Sequence, residues 1–261
     1  MVDGLALMKD GDVAELVIDR PEKRNALTDA MWAAVPDILA SVESDRGAKV
    51  LVIRGAGDRA FSAGADIDEY RARIGNAEWG RRSRESVDAA IRAVRNMSKP
   101  TIAAIGGTCV GGGVSLALAA DIRLAEPAAI FRIPPARLGL VYPFSDTRTL
   151  VQLVGPAWAK RLLFTAYTLH ADEALRIGFI DELSSTAEGL VARARGLAFE
   201  MAELSQFSIR ASKRYIRLIL DGLTAESDET WELSGSALTG EDHAEGVTAF
   251  LEKRSPRFTY R

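Results

Sequence analysis

Three short apolar runs separated by helical patterns are the feature of this sequence that most restricts its fold. The runs are KVLVIRG at 49–55, TIAAIGG at 101–107 and DIRLA at 121–125. Their length, β-branched residues and flanking glycines are typical of strands buried on both faces. Helical patterns precede, separate or follow them, at 28–44, at 83–96 and from 112 onward. This alternation predicts an α/β fold with a parallel sheet and crossover helices.

The residue patterns at the two ends of the chain differ from the alternation in its middle. LALMKDGDVAELVID alternates apolar and polar residues about a charged, glycine-containing bend, which predicts a β-hairpin. After about Thr147 helical patterns follow one another, so the carboxy-terminal third is expected to be mostly helix. Two uses of these helices stay open, namely assembly of several chains and packing over the core of their own chain.

Composition excludes several classes of function. The 261 residues include 33 basic and 36 acidic side chains, so the net charge is −3 and nucleic acid is not an expected partner. The basic stretch from Arg71 to Arg84 is interpreted as a solvated helix face. One cysteine excludes an intrachain disulfide framework, and two histidines offer little for a metal site. Charges throughout the first 20 residues disfavour a signal peptide or membrane span, so we expect a cytoplasmic protein without a membrane partner.

Two segments contain more glycine than the ends of strands and helices require. RAFSAGADI at 59–67 follows the first apolar run, and GGTCVGGGV at 106–114 follows the second and begins a helix. Three consecutive glycines at a helix start are costly in backbone entropy unless something must approach closely. Free N–H groups at the positive end of a helix suit an oxyanion or a phosphate. Neither a Walker A loop nor a GxGxxG fingerprint is present, which disfavours nucleotide sites of those kinds.

Together these segments resemble the crotonase (enoyl-CoA hydratase/isomerase) family. The resemblance covers nearly the whole chain and includes RPEKRNALT, AFSAGADI, KPTIAAIGGTCVGGGVSLALAADIRLA, FRIPPARLGL and EGVTAFLEKRSPRF. It implies an α/β spiral of ββα units over 1–200 with an acyl-CoA site. It also implies a helical region at 201–261 that covers the CoA and holds a homotrimer or hexamer together. The ligand would be an acyl-CoA thioester, with no cofactor beyond the CoA of the substrate and no metal.

The resemblance also assigns residues to the expected site. The backbone N–H groups of Ala65 and Gly112 would bind the thioester oxygen, and such preorganised donors stabilise an enolate oxygen. The residues expected to contact the substrate or its CoA portion are Lys23, Arg24, Ala26, Ala63, Asp66, Ile67, Gly111, Ser115, Pro135, Phe250 and Lys253. Phe250 and Lys253 would often reach the CoA from a neighbouring subunit.

The chain departs from the family pattern where acid–base residues are expected. The two glutamates of a hydratase are replaced by Ser115 and Pro135, neither of which has a side chain that titrates near neutral pH. Pro143 stands where related isomerases carry a carboxylate. Tyr142, in LGLVYPFSDTR, resembles a tyrosine in the LGVPY stretch of methylmalonyl-CoA decarboxylase, although that enzyme has histidine at the position of Ala65. Decarboxylation of a malonyl-type thioester forms the enolate without a base, so it is the favoured reaction.

Two other functions stay open. One is hydration or isomerisation of an enoyl-CoA with a relocated carboxylate, for which the candidates are Asp146, Asp68 and Glu69. The other is a protein that binds acyl-CoA without turnover. For Tyr142 itself, a structural role in the core is the alternative to a catalytic one. Cys109, His170 and His243 are expected to be a buried thiol and two surface side chains.

Overall fold

The computed structural model describes residues 2–260, and its ten strands form two sheets within those residues. The strands are β1 Leu5–Asp10, β2 Val13–Ile18, β3 Val50–Gly55, β4 Ala60–Ser62, β5 Thr101–Ile105, β6 Thr108–Val110, β7 Ile122–Ala125, β8 Ile130–Arg132, β9 Leu169–His170 and β10 Glu182–Leu183. The larger sheet has the order β1-β2-β3-β5-β7-β10, and the smaller has the order β4-β6-β8-β9. Three successive turns of the chain thus give one strand to each sheet, which confirms the expected α/β spiral.

The predicted hairpin and parallel strands are both present. β1 pairs with β2 in antiparallel register, whereas β2, β3, β5, β7 and β10 run parallel. All the residues of β2 and β5 are buried, as expected of strands covered on both faces. Crossover connections therefore join the parallel strands, as the alternation in the sequence predicted.

Eleven α-helices lie within residues 2–260. They are α1 Asp29–Ser44, α2 Ile67–Arg73, α3 Ala77–Asn96, α4 Gly112–Ala119, α5 Pro135–Leu138, α6 Phe144–Thr165, α7 Ala171–Arg176, α8 Gly189–Ala202, α9 Gln206–Leu220, α10 Asp228–Thr239 and α11 Glu241–Glu252. Thr28 caps α1 as predicted, since its side chain accepts a hydrogen bond from the N–H of Met31. The predicted start of α3 at residue 83 was late, because Asn76 caps the helix through the N–H of Trp79.

Both faces of the larger sheet are covered by helices. One face and the smaller sheet share a large apolar cluster with residues of α1, α3, α4 and α6. The opposite face carries Val13, Val50, Val52, Ile102 and Leu124 and packs against α8. Because burial of these side chains stabilises the sheet on both sides, the loops at its strand ends rest on a rigid support.

The carboxy-terminal helices present apolar side chains to the surface. Those exposed on α9, α10 and α11 are Ile216, Ile219, Leu220, Trp231, Leu238, Val247, Phe250 and Leu251. The helices and the following tail line an open cavity of about 620 Å³. Assembly through these helices, and the division at residue 200, stay predictions; α8 ends at Ala202 and α9 begins at Gln206. Among residues 2–260, every helix is too short or too polar to cross a lipid bilayer.

Candidate active site

The two glycine-rich segments meet at the carboxyl ends of β4 and β6 in the smaller sheet. β4 and β6 are parallel neighbours, with Ala60 opposite Thr108, so the loops that follow them leave the sheet side by side. The contact between the loops is close: a Cβ built on Gly64 lies 2.7 Å from the carbonyl oxygen of Val110 and 3.0 Å from the nitrogen of Gly112. Gly64 also has a φ of +88°, a conformation that favours glycine. Glycine at 64 is thus what allows the two loops to touch.

The N–H of Ala65 takes no part in the hydrogen bonds that hold its loop. Leu27 donates to the carbonyl of Gly64 at 2.8 Å and accepts from the N–H of Asp66 at 3.0 Å. These two bonds form a parallel bridge between Leu27 and Ala65 and use only the neighbours of Ala65. Among residues 2–260 the N–H of Ala65 itself donates to no acceptor. It is therefore a fixed donor available to a ligand.

The N–H of Gly112 is the second available donor. Gly112 is the first residue of α4, whose amino-terminal end has no side-chain cap. Gly111, at φ 53° and ψ −113°, turns the chain into the helix and is itself held by a bond from its N–H to the carbonyl of Arg132. The first N–H groups of a helix lack intrahelical acceptors and carry the positive end of its dipole. The half-buried Ala65 and Gly112 thus present two donors from adjoining loops.

A network of buried polar contacts holds the first loop in place. Arg20 Nη1 donates to the carbonyl of Ala26 at 2.9 Å and to Asp66 Oδ2 at 2.8 Å. Burial acts to raise the pKa of Asp66, but the hydrogen bonds from Arg20 and from the backbone N–H of Asp68 outweigh it and lower the pKa. Asp66 is therefore ionised at neutral pH and caps α2. Its contacts make it a structural support of the loop.

The predicted CoA-contacting turn is tied to the same loop. The N–H of Ala63 donates to the carbonyl of Arg24 at 2.9 Å. The buried Asn25 side chain donates to two carbonyls, at Ala56 and Ala60, and accepts from the N–H of Arg20. The structure therefore brings Arg24, Ala26, Ala63 and Asp66 together. Lys23 and Ile67 lie at the exposed rim of this group.

Ser115, at the position of one missing glutamate, forms a hydrogen bond with Tyr142. Ser115 lies one turn after Gly112 on α4, so both residues share a face of the helix. Its Oγ donates to Tyr142 Oη at 2.9 Å, and Tyr142 is only 7% exposed. Burial and the charge of Asp146 raise the pKa of Tyr142 well above its ordinary value, against the effect of the Ser115 hydrogen bond. Tyr142 is therefore a neutral phenol at physiological pH. Pro135 is half-buried at the start of α5.

The three candidate carboxylates have different surroundings. Asp68 is exposed and forms an ion pair with Lys23 at 2.8 Å. Glu69 Oε2 accepts a hydrogen bond at 2.8 Å from the N–H of Asp29, the first residue of α1. Asp146 is buried and contacts Arg95. Of the three, Asp146 is the carboxylate whose charge acts on Tyr142.

Phe250 and Lys253 lie apart from the glycine loops within one chain. Phe250 is 82% exposed on α11, and the cavity that it lines is formed by side chains between residues 205 and 260. Lys253 ends α11 with a φ of 55°. Their predicted contact with CoA from a neighbouring subunit therefore stays a prediction.

The remaining candidates are placed as expected. Cys109 is buried, and burial raises the pKa of its thiol. His170 and His243 are exposed, the latter beside the carboxy-terminal cavity. Among the residues that the structure describes, no group of three histidine, cysteine, aspartate or glutamate side chains is arranged to hold a metal ion.

Sequence reasoning missed several residues that support the site. Arg20, Asn25 and Leu27 position the first loop, and Trp32 packs beneath the second, where its ring lies 3.0 Å from a Cβ built on Gly112. The buried asparagine lies within RPEKRNALT, so this motif was the available signal for the first group. No local pattern marks Trp32, because its position on α1 looks like that of any core residue.

Comparison with known proteins gives concordant matches. The family model for enoyl-CoA hydratase/isomerase matches residues 8–261. A protein named crotonyl-CoA hydratase, from Syntrophomonas wolfei subsp. wolfei, is 34% identical over 262 residues and is covered over 98% of both chains. A protein named short-chain-enoyl-CoA hydratase, from Clostridium acetobutylicum, is 34% identical over 255 residues, which are 97% of this chain and 96% of that protein.

Solved structures agree with these matches. A crystal structure from Hyphomonas neptunium, assigned to the enoyl-CoA hydratase/isomerase family, superposes with a TM-score of 0.95 at 43% identity. The match covers 99% of this chain and 98% of the other. An enoyl-CoA hydratase/carnithine racemase from Magnetospirillum magneticum superposes with a TM-score of 0.93 at 31% identity, over 100% and 97% of the two chains.

Proposed function

The chain belongs to the enoyl-CoA hydratase/isomerase family, and from that premise we propose that it converts an acyl-CoA thioester by way of an enolate. The N–H groups of Ala65 and Gly112 bind the thioester oxygen and stabilise the negative charge that develops on it. Each is held by backbone geometry before substrate arrives, so neither must reorganise during the reaction. Removing one such donor from an enzyme typically costs about 10²–10³ in kcat.

Within that chemistry we propose decarboxylation of a malonyl-type thioester. The bond between Cα and the carboxyl carbon breaks, its electron pair moves into the enolate, carbon dioxide leaves, and Cα takes a proton from water. No side-chain base is needed to form the enolate. The observation that supports the proposal is the Ser115–Tyr142 hydroxyl pair, in which Ser115 replaces one of the two glutamates and Tyr142, as the acceptor of the Ser115 hydrogen bond, keeps its phenolic proton for the substrate carboxylate.

Hydration of an enoyl-CoA is the second candidate. Two relatives at 34% identity are named hydratases. Hydration requires a group that takes a proton from water and returns it to Cα. Of the three candidate carboxylates, Asp146 is the best candidate for this group because its charge acts on Tyr142. Asp68 instead forms an ion pair with Lys23, and Glu69 accepts a hydrogen bond from the N–H of Asp29 at the start of α1.

The test is a panel of CoA thioesters incubated with the purified protein in water enriched in ¹⁸O and analysed by mass spectrometry. The panel contains malonyl-, methylmalonyl-, crotonyl- and 3-hexenoyl-CoA. Loss of carbon dioxide from a malonyl ester supports decarboxylation. Incorporation of ¹⁸O into a hydroxyacyl product from crotonyl-CoA, with the malonyl esters intact, contradicts decarboxylation and supports hydration. Tight binding of the esters without any turnover contradicts both enzymatic proposals.

The Ser115–Tyr142 pair is tested in the same assay. We expect Tyr142→Phe to lower kcat for the malonyl ester, because the donor to the substrate carboxylate is lost while the ring still fills the core. Binding of acetyl-CoA, which lacks that carboxylate, is expected to stay unchanged. An unaltered kcat in Tyr142→Phe would remove Tyr142 from the mechanism.

A further inference from the structure

The start of α1 holds the loop after β4 at three points. The N–H of Leu27 donates to the carbonyl of Gly64 at 2.8 Å, and the N–H of Asp66 donates to the carbonyl of Leu27 at 3.0 Å. The third bond runs from the N–H of Asp29 to Glu69 Oε2, at 2.8 Å. Backbone atoms alone make the first two bonds. The third is therefore the contact whose strength a side chain sets.

These bonds fix the direction of the Ala65 N–H. The peptide unit between Gly64 and Ala65 is trans and planar, so its N–H points opposite to its carbonyl. Because that carbonyl is directed at the N–H of Leu27, the N–H of Ala65 is directed away from Leu27. A rotation of this peptide plane would turn the carbonyl and the N–H together. The aim of the Ala65 donor thus depends on how firmly the loop is joined to the start of α1.

Glu69 extends this join into α2. Glu69 is the third residue of α2, and Asp66 caps the helix by accepting a hydrogen bond from the N–H of Asp68 at 3.0 Å. The N–H of Tyr70 donates to the carbonyl of Asp66 at 3.2 Å and closes the first helical turn. The loop and this turn are therefore one hydrogen-bonded unit. A displacement of Glu69 is passed to Asp66, the residue next to Ala65.

The N–H of Asp29 is a favourable partner for a carboxylate. Asp29 is the first residue of α1, where N–H groups lack intrahelical acceptors and carry the positive end of the helix dipole. The Thr28 side chain caps the N–H of Met31 and leaves that of Asp29 to Glu69. The Asp29 side chain accepts from Arg73 Nη1 at 3.0 Å, at the other end of α2. Both ends of α2 are thus bound to the first residue of α1.

We propose that Glu69 is a positioning residue that, through its hydrogen bond with the Asp29 N–H, aims the Ala65 N–H at the thioester oxygen of the substrate. This inference rests on the proposed function, in which that N–H binds the oxygen. Glu69 acts as a hydrogen-bond acceptor that is engaged before the substrate arrives. It does not act as the base of a hydration, so its role needs an oxygen atom but not a carboxylate.

Two substitutions of Glu69 separate an acceptor from a base. Glu69→Ala removes the acceptor, and kcat for the ester that the panel identifies should fall by about tenfold or more, because a misplaced catalytic group is costly. Glu69→Gln keeps an oxygen that accepts from the Asp29 N–H, so kcat should stay within about threefold of its original value. The Kd of CoA, which lacks the thioester carbonyl, should change by less than about threefold in both variants. An equal loss of kcat in Glu69→Gln and Glu69→Ala, or no loss in either, overturns the proposal.

A second pair of variants tests the donor and keeps the proposal testable if Glu69→Ala does not fold. Asp29→Pro removes the N–H, Asp29→Ala keeps it, and both remove the carboxylate. Thr28 is extended, at φ −79° and ψ 164°, which suits a following proline, and proline is tolerated at the first helical position. We expect kcat of Asp29→Pro to lie about tenfold below that of Asp29→Ala, and Glu69→Ala to add no further loss to Asp29→Pro. Equal rates in the two Asp29 variants, or additive losses in the double variant, contradict the proposal.

Glu85→Ala is the control, because it removes an exposed carboxylate that pairs with Arg81 on α3. It should leave kcat unchanged. A measurement without substrate is amide hydrogen exchange at Asp66, whose N–H is bonded to the carbonyl of Leu27. Exchange there should be faster in Glu69→Ala than in Glu85→Ala, because the join to α1 opens more often. If the panel shows no turnover, the proposed function fails; faster exchange would still support the fixing of the loop by Glu69, and unchanged exchange would overturn it.

Discussion

Gly112 allows the oxyanion proposal to be tested by removing one backbone N–H donor. We predict that Gly112→Pro lowers kcat by about 10²–10³ relative to Gly112→Ala, because proline lacks the N–H. Proline is well tolerated at the first position of a helix, which is where Gly112 stands.

Gly112→Ala is the matched control for that prediction. It adds the same Cβ, 3.0 Å from the Trp32 ring, but keeps the N–H. Steady-state kinetics on the ester that the panel identifies compares the two variants. Equal rates in the two variants would mean that the Gly112 N–H contributes nothing to the transition state.

Gly113 has a different reason for being glycine. A Cβ at this position lies 2.6 Å from the carbonyl oxygen of Ser62, a backbone atom that cannot move aside cheaply. We predict that Gly113→Ala destabilises the fold by about 1–3 kcal/mol through overpacking.

Gly196 on α8 provides the opposite case, since a Cβ there meets nothing within 4 Å. Gly196→Ala should stabilise the protein by about 0.5–1 kcal/mol, the usual gain inside a helix. Thermal unfolding of the two variants beside the unchanged protein measures both effects. A higher Tm for Gly113→Ala would contradict the packing argument.

Some of these residue-level features could be predicted from sequence and others could not. The glycines at 111–113 are visible as a costly local pattern, so their role near a ligand was a reasonable prediction. Asp146 was named as a candidate carboxylate, but Trp32 was not singled out as a neighbour of Gly112, because their proximity depends on how α1 packs. Local patterns reveal backbone requirements, whereas contacts between distant elements emerge only from the fold.

At the scale of elements, one carboxylate on α11, Glu245, binds the tail that follows the helix. Glu245 accepts hydrogen bonds from Arg254 Nη1 at 2.6 Å and from the N–H of Arg257 at 2.7 Å. The Arg254 side chain and the Arg257 N–H lower the pKa of Glu245 to about 2. Because the pKa is lower in the folded chain, this contact stabilises the tail at pH values above about 4.5 and is lost as the pH falls toward about 2.

We therefore predict that Glu245→Gln loosens the tail at neutral pH. Trypsin should cleave after Arg254 and Arg257 faster in this variant, since the charge-assisted contacts are gone. Glu252→Gln is the control, because Glu252 contacts only the Nε of Arg254 within residues 2–260. Equal cleavage rates in both variants would show that Glu245 does not hold the tail.

Helix and strand identities were predictable where a cap or an apolar run marks them. Thr28 and the KVLVIRG run are examples, and α1 and β3 are present as expected. The short helices α2 and α5 were not predicted. They have seven and four residues, too few for a periodic pattern to emerge, and they form because neighbouring elements hold them.

At the scale of the whole molecule, the exposed apolar side chains of α9–α11 argue for assembly. Four of them, Leu238, Val247, Phe250 and Leu251, line one cavity, and large exposed apolar patches are unusual on a monomer. We predict three or six copies per particle by light scattering. Leu238→Glu, on the rim of the carboxy-terminal cavity, should lower the particle mass.

Ile74→Glu is the matched control for assembly. Like Leu238, Ile74 is apolar and exposed, at 81%, but it follows α2 and is not part of α9–α11. Its substitution should leave the particle mass unchanged. A single copy per particle in the unchanged protein would contradict the predicted trimer or hexamer.

The parallel sheet was predictable from the strand–helix alternation, but the division of the strands between two sheets was not derivable from the residues alone. Runs such as TIAAIGGTCV read as one apolar stretch, yet β5 belongs to the larger sheet and β6 to the smaller. The bend between them falls at Gly107, with a φ of +58°. The family resemblance supplied what local patterns could not.

The order of the strands has a consequence for how the chain acquires its structure. In both sheets each new strand joins the edge formed by an earlier one, from β1 to β10 and from β4 to β9. A ribosome-bound chain can therefore complete each pairing with segments that have already emerged, and no strand must wait for a later one to be inserted beside it. The parallel pairings span many residues, which slows refolding from a denatured chain. Synthesis from the amino-terminal end should consequently yield the native fold faster than dilution of the full-length chain from denaturant.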